Sequence, residues 1–159
     1  MLKASTALIL AAALVSGCSG MGTLKAPPQT KHERAAQVQA ASAALRAGNY
    51  HHAEQLLADY MYRDDSGELR FKFLRFTPEG KKQAVDTVAM LLWETGRDQS
   101  LADFASRYLH GYERDVMLCR LAERKAEFED AYQCWNDLGD IDRARRSVRT
   151  ESALRILKD

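Results

Sequence analysis

Leu45-Arg46-Ala47-Gly48-Asn49-Tyr50-His51-His52-Ala53-Glu54 decides how the rest of this chain is read. An alanine-rich run arrives at Gly48, which accepts the left-handed backbone that ends a helix, and Asn49 is suited to cap the helix that follows. Tyr50 and Ala53 then share one face of the second helix, with Leu56 and Leu57 one turn further on. A large ring beside a small alanine fits two helices that cross closely. The stretch predicts a helical hairpin.

The same corner returns in weaker copies at Glu94-Thr95-Gly96-Arg97-Asp98, at Lys125-Ala126-Glu127-Phe128-Glu129-Asp130-Ala131 and at Leu138-Gly139-Asp140-Ile141-Asp142-Arg143-Ala144. Aligned on the turn residue, the chain resembles the tetratricopeptide repeat family, whose unit is a helical hairpin of about 34 residues. The resemblance implies an all-α fold of stacked antiparallel hairpins, with repeats starting at Arg34, Lys82 and Tyr112. It places Ala40, Ala41 and Ala44, then Val88, Ala89 and Leu92, then Leu118, Cys119 and Ala122 at the packing positions of the first helices. In the second helices it places Ala53, Leu57 and Tyr60, then Leu101, Ala105 and Tyr108, then Ala131, Trp135 and Leu138. The copies are degenerate. Gln37, Val85 and Asp115 stand where the family has an aromatic residue, and the closing proline is missing from all three. The rival reading is a helical bundle whose loops contain glycine.

Spacing locates an insertion. Gly48 and Gly96 lie 48 residues apart, so Arg63 to Phe76 is extra to the repeat. Asp64, Asp65, Ser66 and Gly67 form a turn cluster. Leu69, Phe71 and Phe73 then alternate with Arg70, Lys72 and Leu74, which predicts a short strand near residues 68–76. A lone strand leaves backbone groups unpaired, so it is expected to lie across the helices or to offer its edge to another chain.

Elsewhere the pattern is helical. Helix one is expected from about Glu33 to Ala47, and helix two from Tyr50 to Tyr62. Thr77-Pro78-Glu79 is a helix start, with a capping hydroxyl, a proline at the first position and an acid near the positive end. That helix should stop at Gly96, and the next should run from Asp98 to about His110, where the histidine would serve the negative end of the dipole. A final helix from Asp142 to Leu157 is expected to close the stack through Ile141, Ala144, Val148, Ala153 and Ile156, with Arg143, Arg145, Arg146 and Arg149 pointing away.

The beginning of the chain reads as targeting. Lys3 gives a positive start, Ala7 to Val15 is apolar, and Gly17-Cys18 follows; the run is too short to span a bilayer. Leu14-Val15-Ser16-Gly17-Cys18 resembles the bacterial lipobox, which implies cleavage before Cys18 and lipid on that cysteine. Acyl chains contribute ~0.8 kcal/mol per buried methylene, and two or more make anchoring stable. Ser19 after the cysteine points to the outer membrane by resemblance to the sorting rule of enteric bacteria. Residues 1–17 are therefore read as signal peptide, 18–32 as lipidated cysteine and Pro27-Pro28-containing tether, and 33–159 as the helical domain.

The 159 residues carry 23 Lys and Arg against 22 Asp and Glu. Removing residues 1–17 takes one lysine and leaves 22 of each, which argues against non-specific nucleic-acid binding. No Gly-rich phosphate loop, GxSxG elbow or HExxH pair occurs, so no enzyme, cofactor or metal site is expected. His51 and His52 are adjacent and point about 100° apart on a helix, unsuited to one metal. Cys119 and Cys134 fall on antiparallel helices, where the resemblance puts them near a crossing. An oxidising periplasm favours a disulfide there, and buried free thiols are the alternative.

The resemblance also assigns a binding surface to the first helices: Gln83, Asp86, Met90, Trp93 and Glu94, then Glu113, Val116, Arg120, Glu123 and Arg124. The expected function is a lipid-anchored periplasmic module that binds a protein or peptide of the cell envelope and supports assembly or piloting of an envelope complex. The alternative is a protective lipoprotein, such as an immunity factor against a periplasmic toxin.

Overall fold

A computed structural model describes residues 30–72 and 76–156. Among them the chain is all-α with one short ribbon: α1 (Lys31–Arg46), α2 (Tyr50–Leu57), β1 (Met61–Arg63), β2 (Leu69–Phe71), α3 (Pro78–Glu94), α4 (Asp98–Tyr108), α5 (Gly111–Arg124), α6 (Phe128–Asp137) and α7 (Ile141–Ile156). Cys18, Phe73 and Leu157, and the side chains of Ala153 and Ile156, lie outside the described residues.

Four of the turns are the same object. Gly48, Gly96, Ala126 and Gly139 take φ of +73°, +66°, +60° and +76°. At each, the left-handed residue donates its amide back three residues, and the next residue donates back five: Asn49 to the Ala44 carbonyl at 2.9 Å, Arg97 to Leu92 at 3.0 Å, Glu127 to Ala122 at 3.0 Å and Asp140 to Trp135 at 2.9 Å. Two carbonyls that the helix end would strand are thereby satisfied. The following helix opens when the amides of Ala53, Leu101, Ala131 and Ala144 donate to the carbonyls of Asn49, Arg97, Glu127 and Asp140. All four of those residues are buried. Five residues past the left-handed position is thus always the inward face.

The α4–α5 junction differs. Leu109 and His110 are extended, and His110 precedes α5. The histidine therefore sits at the positive start of a helix and not, as its sequence position implied, at a negative end.

The insertion is a hairpin and not a lone strand. Helix two stops at Leu57, residues 58–60 make one tight turn, and Met61-Tyr62-Arg63 pairs antiparallel with Leu69-Arg70-Phe71, Tyr62 facing Arg70. The early stop turns Tyr60 inward, where its hydroxyl donates to Gln37 Oε1 at 2.8 Å while Gln37 Nε2 donates to the Leu56 carbonyl at 2.6 Å. The Asp64 carboxylate closes the ribbon's turn by accepting from the Ser66 and Glu68 amides, both at 3.0 Å. The Phe71 amide donates to the Tyr108 hydroxyl at 3.4 Å, which lays the ribbon against α4. Tyr60, Phe71 and Phe76 pack ring to ring with centroids 5.0 to 6.1 Å apart.

Two cores result. The larger joins α1 to α4 with the ribbon and reaches Leu121; the smaller holds Cys119, Ala131, Trp135 and Ala144. Helix α5 serves both. Cys119 and Cys134 are joined by a disulfide, with Cα atoms 5.4 Å apart. The Trp135 indole N–H donates to Glu123 Oε1 at 2.8 Å, so its polar edge is satisfied inside the smaller core. Between the first two corners, Arg97 grips Glu54 with both guanidinium nitrogens, at 2.6 and 2.9 Å. That hydrogen bonding holds the Glu54 carboxyl below the usual glutamate range.

Three packing expectations need correction. Arg143 does not point away from the stack: it is partly buried, with its guanidinium over the Trp135 ring 4.5 Å from the centroid. Ala40 is exposed, and Val38 takes the inward place on α1. On α7, Ile141 and Val148 are each 43% exposed, while Ala144 and Ser147 are buried. The seam against α6 uses small residues, because they let two helices approach closely, and the larger aliphatics are left outside.

Among the described residues Ala126 alone bears a side chain at a left-handed corner, so Ala126→Gly should stabilise by about 0.5–1 kcal/mol, read as a rise of roughly 2–4 °C in Tm. The disulfide closes a span of 15 residues around the smaller core. Cys119→Ser with Cys134→Ser should cost ~3 kcal/mol, and hydrogen exchange should quicken first in α6 and α7.

Candidate functional site

Helices α3 and α5 run in the same direction. Near their starts Lys82 Nζ reaches Glu113 Oε1 at 3.1 Å, and near their ends an Arg124 guanidinium N–H donates to the Trp93 carbonyl at 2.7 Å. Between these two ties the helices leave a groove of about 510 Å³. Ala89, Met90 and Trp93 of α3 face Val116, Met117 and Arg120 of α5 across it, with Leu109 and Tyr112 at one end. Leu109 is buried, whereas Met90 is 46% and Tyr112 66% exposed. Such open apolar side chains beside a concave surface mark a place where another apolar group is able to dock.

The rim is charged. Lys82 lies between Asp86 and Glu113, each 3.1 Å away, and these carboxylates, Asp86 first, hold its ammonium above the usual lysine range. Glu94 and Arg120 border the groove further along. The lining thus carries two cations and three anions.

Trp93 has a second role. It packs partly against the larger core, and two guanidiniums lie over its ring, Arg124 at 3.8 Å and Arg120 at 5.1 Å from the centroid. Cation–π stacking of this kind contributes about 0.5–2 kcal/mol. Arg124 also pairs with Asp98 in the first turn of α4. The tryptophan is thereby a joint between the second and third hairpins as well as part of the groove wall.

Of the residues assigned to this surface from sequence, Asp86, Met90, Trp93, Glu94, Glu113, Val116 and Arg120 line the groove together. Three do not. Gln83 is partly buried, and its carbonyl accepts from the Thr87 hydroxyl at 2.7 Å. Glu123 is turned to Trp135 and Ser147 in the smaller core. Arg124 is committed to Trp93 and Asp98. Lys82, Ala89, Leu109, Tyr112 and Met117 complete the groove and were not assigned to it. Lys82 stands four residues before Asp86 on one helix face, which was a legible signal; the bridge to Glu113 depends on α5 arriving beside it.

No group of His, Cys, Asp and Glu among the described residues is arranged to hold a metal ion. No helix among the described residues is long and apolar enough to cross a membrane. No protein-family model, curated protein or solved structure matches the chain.

The two exposed-looking groove residues should separate on substitution. Trp93→Ala removes core contact and the arginine stack together, and should cost about 2–3 kcal/mol in a denaturant titration. Met90→Ala should stay within ~0.5 kcal/mol.

Proposed function

We propose that this is a lipid-anchored interaction module of the bacterial envelope, related to tetratricopeptide-type helical stacks, which binds an apolar segment of another envelope protein or a peptide in the α3–α5 groove. The observation that carries the reading is that groove: large apolar side chains left open between two parallel first helices, with charges around the edge to fix register. Interfaces draw most of their affinity from a few such side chains, and Met, Trp and Tyr are enriched among them. The lipobox-like Leu14-Val15-Ser16-Gly17-Cys18 supports anchoring to the periplasmic face of the outer membrane. The disulfide between Cys119 and Cys134 fits an oxidising compartment. Assembly or piloting of an envelope complex is the role this reading favours.

Anchoring and binding have separate tests. Cys18→Ser should move the protein from the membrane fraction to the soluble fraction and abolish labelling by palmitate; a variant that stays with membranes refutes the anchor. For the groove, Met90→Glu and Tyr112→Glu in the full chain should each remove the same protein from an affinity capture out of detergent-solubilised membranes. Tm should change little, because Met90 is 46% and Tyr112 66% exposed. A capture profile identical to wild type in both variants would dispose of the groove as the binding surface.

A further inference from the structure

The charges around the α3–α5 groove are not equivalent. Lys82 is clasped by Asp86 and Glu113, so the start of the groove is answered internally. Glu94 accepts from the Tyr50 hydroxyl of α2 at 3.3 Å, and Arg124 is committed to the Trp93 carbonyl and Asp98. Arg120 differs: it is exposed, and no carboxylate among the described residues pairs with it. Its guanidinium lies over the Trp93 ring, 5.1 Å from the centroid. Stacking of that kind holds the plane of the group and leaves its N–H edge open to an acceptor.

The lining also has a period. Tyr112, Val116 and Arg120 stand four residues apart on α5, steps of about 6 Å along the axis. An extended chain returns to the same side every second residue, about 6.4–6.8 Å further on. Row and strand therefore stay in step over three places, two apolar and the third cationic. The groove runs for roughly 18 Å from Lys82 to Glu94. Over that length a volume of about 510 Å³ is too slender for a helix, which is about 10–12 Å across. It admits the side chains of an extended segment.

We infer that the occupant is an extended protein segment of the pattern apolar-x-apolar-x-acid, with its apolar side chains over Tyr112 and Val116 and its carboxylate paired with Arg120; this rests on the reading of the groove as the binding surface. Arginine meets a carboxylate through two parallel N–H donors in one plane, and Trp93 presets that plane, so Arg120 selects which segments bind. Other residues at the third place are rejected for physical reasons. An apolar side chain there would cover the free edge of Arg120 and give it no acceptor. A basic one would meet Arg120 directly, and at the first place it would have to displace Lys82 from Asp86 and Glu113.

The test holds the full-length chain in nanodiscs of neutral phosphatidylcholine and measures fluorescence anisotropy of labelled synthetic peptides. The probe is Leu-Gln-Leu-Gln-Glu between serines, made in both orders, with blocked ends so that the glutamate is its only carboxylate. At least one order should bind. Glutamine in place of the peptide's glutamate should weaken binding about tenfold, moving the glutamate by one residue should do the same, and lysine there should abolish it. Arg120→Glu should reverse the preference and take the lysine peptide over the glutamate one, a gain that a misfolded groove would not show. Tyr112→Glu should weaken every peptide. Binding that needs Tyr112 but is indifferent to glutamate, glutamine or lysine overturns the inference and leaves the groove reading in place. Tighter binding of a helically spaced peptide, with leucines at the first and fifth places and glutamate at the ninth, overturns it as well. So does binding that survives both Tyr112→Glu and Arg120→Glu, or no binding at all, and the envelope capture then decides the groove separately.

Discussion

Everything in this fold hangs on a pair of backbone hydrogen bonds repeated four times. At Gly48, Gly96, Ala126 and Gly139 the chain reverses in a left-handed residue, the stranded carbonyls of the ending helix are satisfied, and the next helix starts from the following residue. Because the geometry is the same each time, the residue five positions on always faces inward, and there the sequence supplies Ala53, Leu101, Ala131 and Ala144. Three of those four are alanines. Local backbone chemistry and tertiary packing are joined at one interval, so the copies stay recognisable while their outer positions diverge.

The stack is not uniformly supported. Its first part rests on a broad apolar core with a Tyr60–Gln37 hydrogen bond inside it and an aromatic cluster under the ribbon. Its last part has four buried residues in its core, one of them half of the disulfide. Small cores give little hydrophobic stabilisation, and a covalent crosslink offsets this by restricting the unfolded chain. The Glu123–Trp135 hydrogen bond belongs to the same economy, since an indole N–H left unpaired in so small a core would cost about 1–3 kcal/mol.

What was legible in the sequence is what is local. Gly48-Asn49 and Thr77-Pro78-Glu79 announce helix ends and starts through residues within one turn of each other, and the structure places them so. Ala126 was found only by alignment on the other corners, because nothing about an alanine demands a left-handed backbone. The ribbon's first strand was missed for a related reason. Met61-Tyr62-Arg63 is too short to show a period of two, and its strand character comes from pairing with Leu69-Arg70-Phe71 across a turn. Glu123 and Arg124 sit on the helix that carries the groove, but α5 is shared between two cores, so its last turn faces the smaller core and α4. The arrangement of Ile141 and Val148 was misread because an aliphatic residue on a terminal helix is ordinarily inward, and the close α6–α7 seam has room only for Ala144 and Ser147.

The sharing of α5 explains why a groove exists at all. A helix that must present Leu121 to one core and Cys119 to another has no face left with which to lie flush along α3. It meets α3 through side chains at its two ends instead, Lys82 to Glu113 at one and Arg124 to Trp93 at the other, and the middle stays open. The apolar residues exposed there are therefore a consequence of how the third hairpin is held, and the disulfide that fixes α6 against α5 also fixes the groove's far wall. Stability of the smaller core and shape of the groove are coupled through one helix, so a change that loosens α6 acts on the groove without touching any residue that lines it.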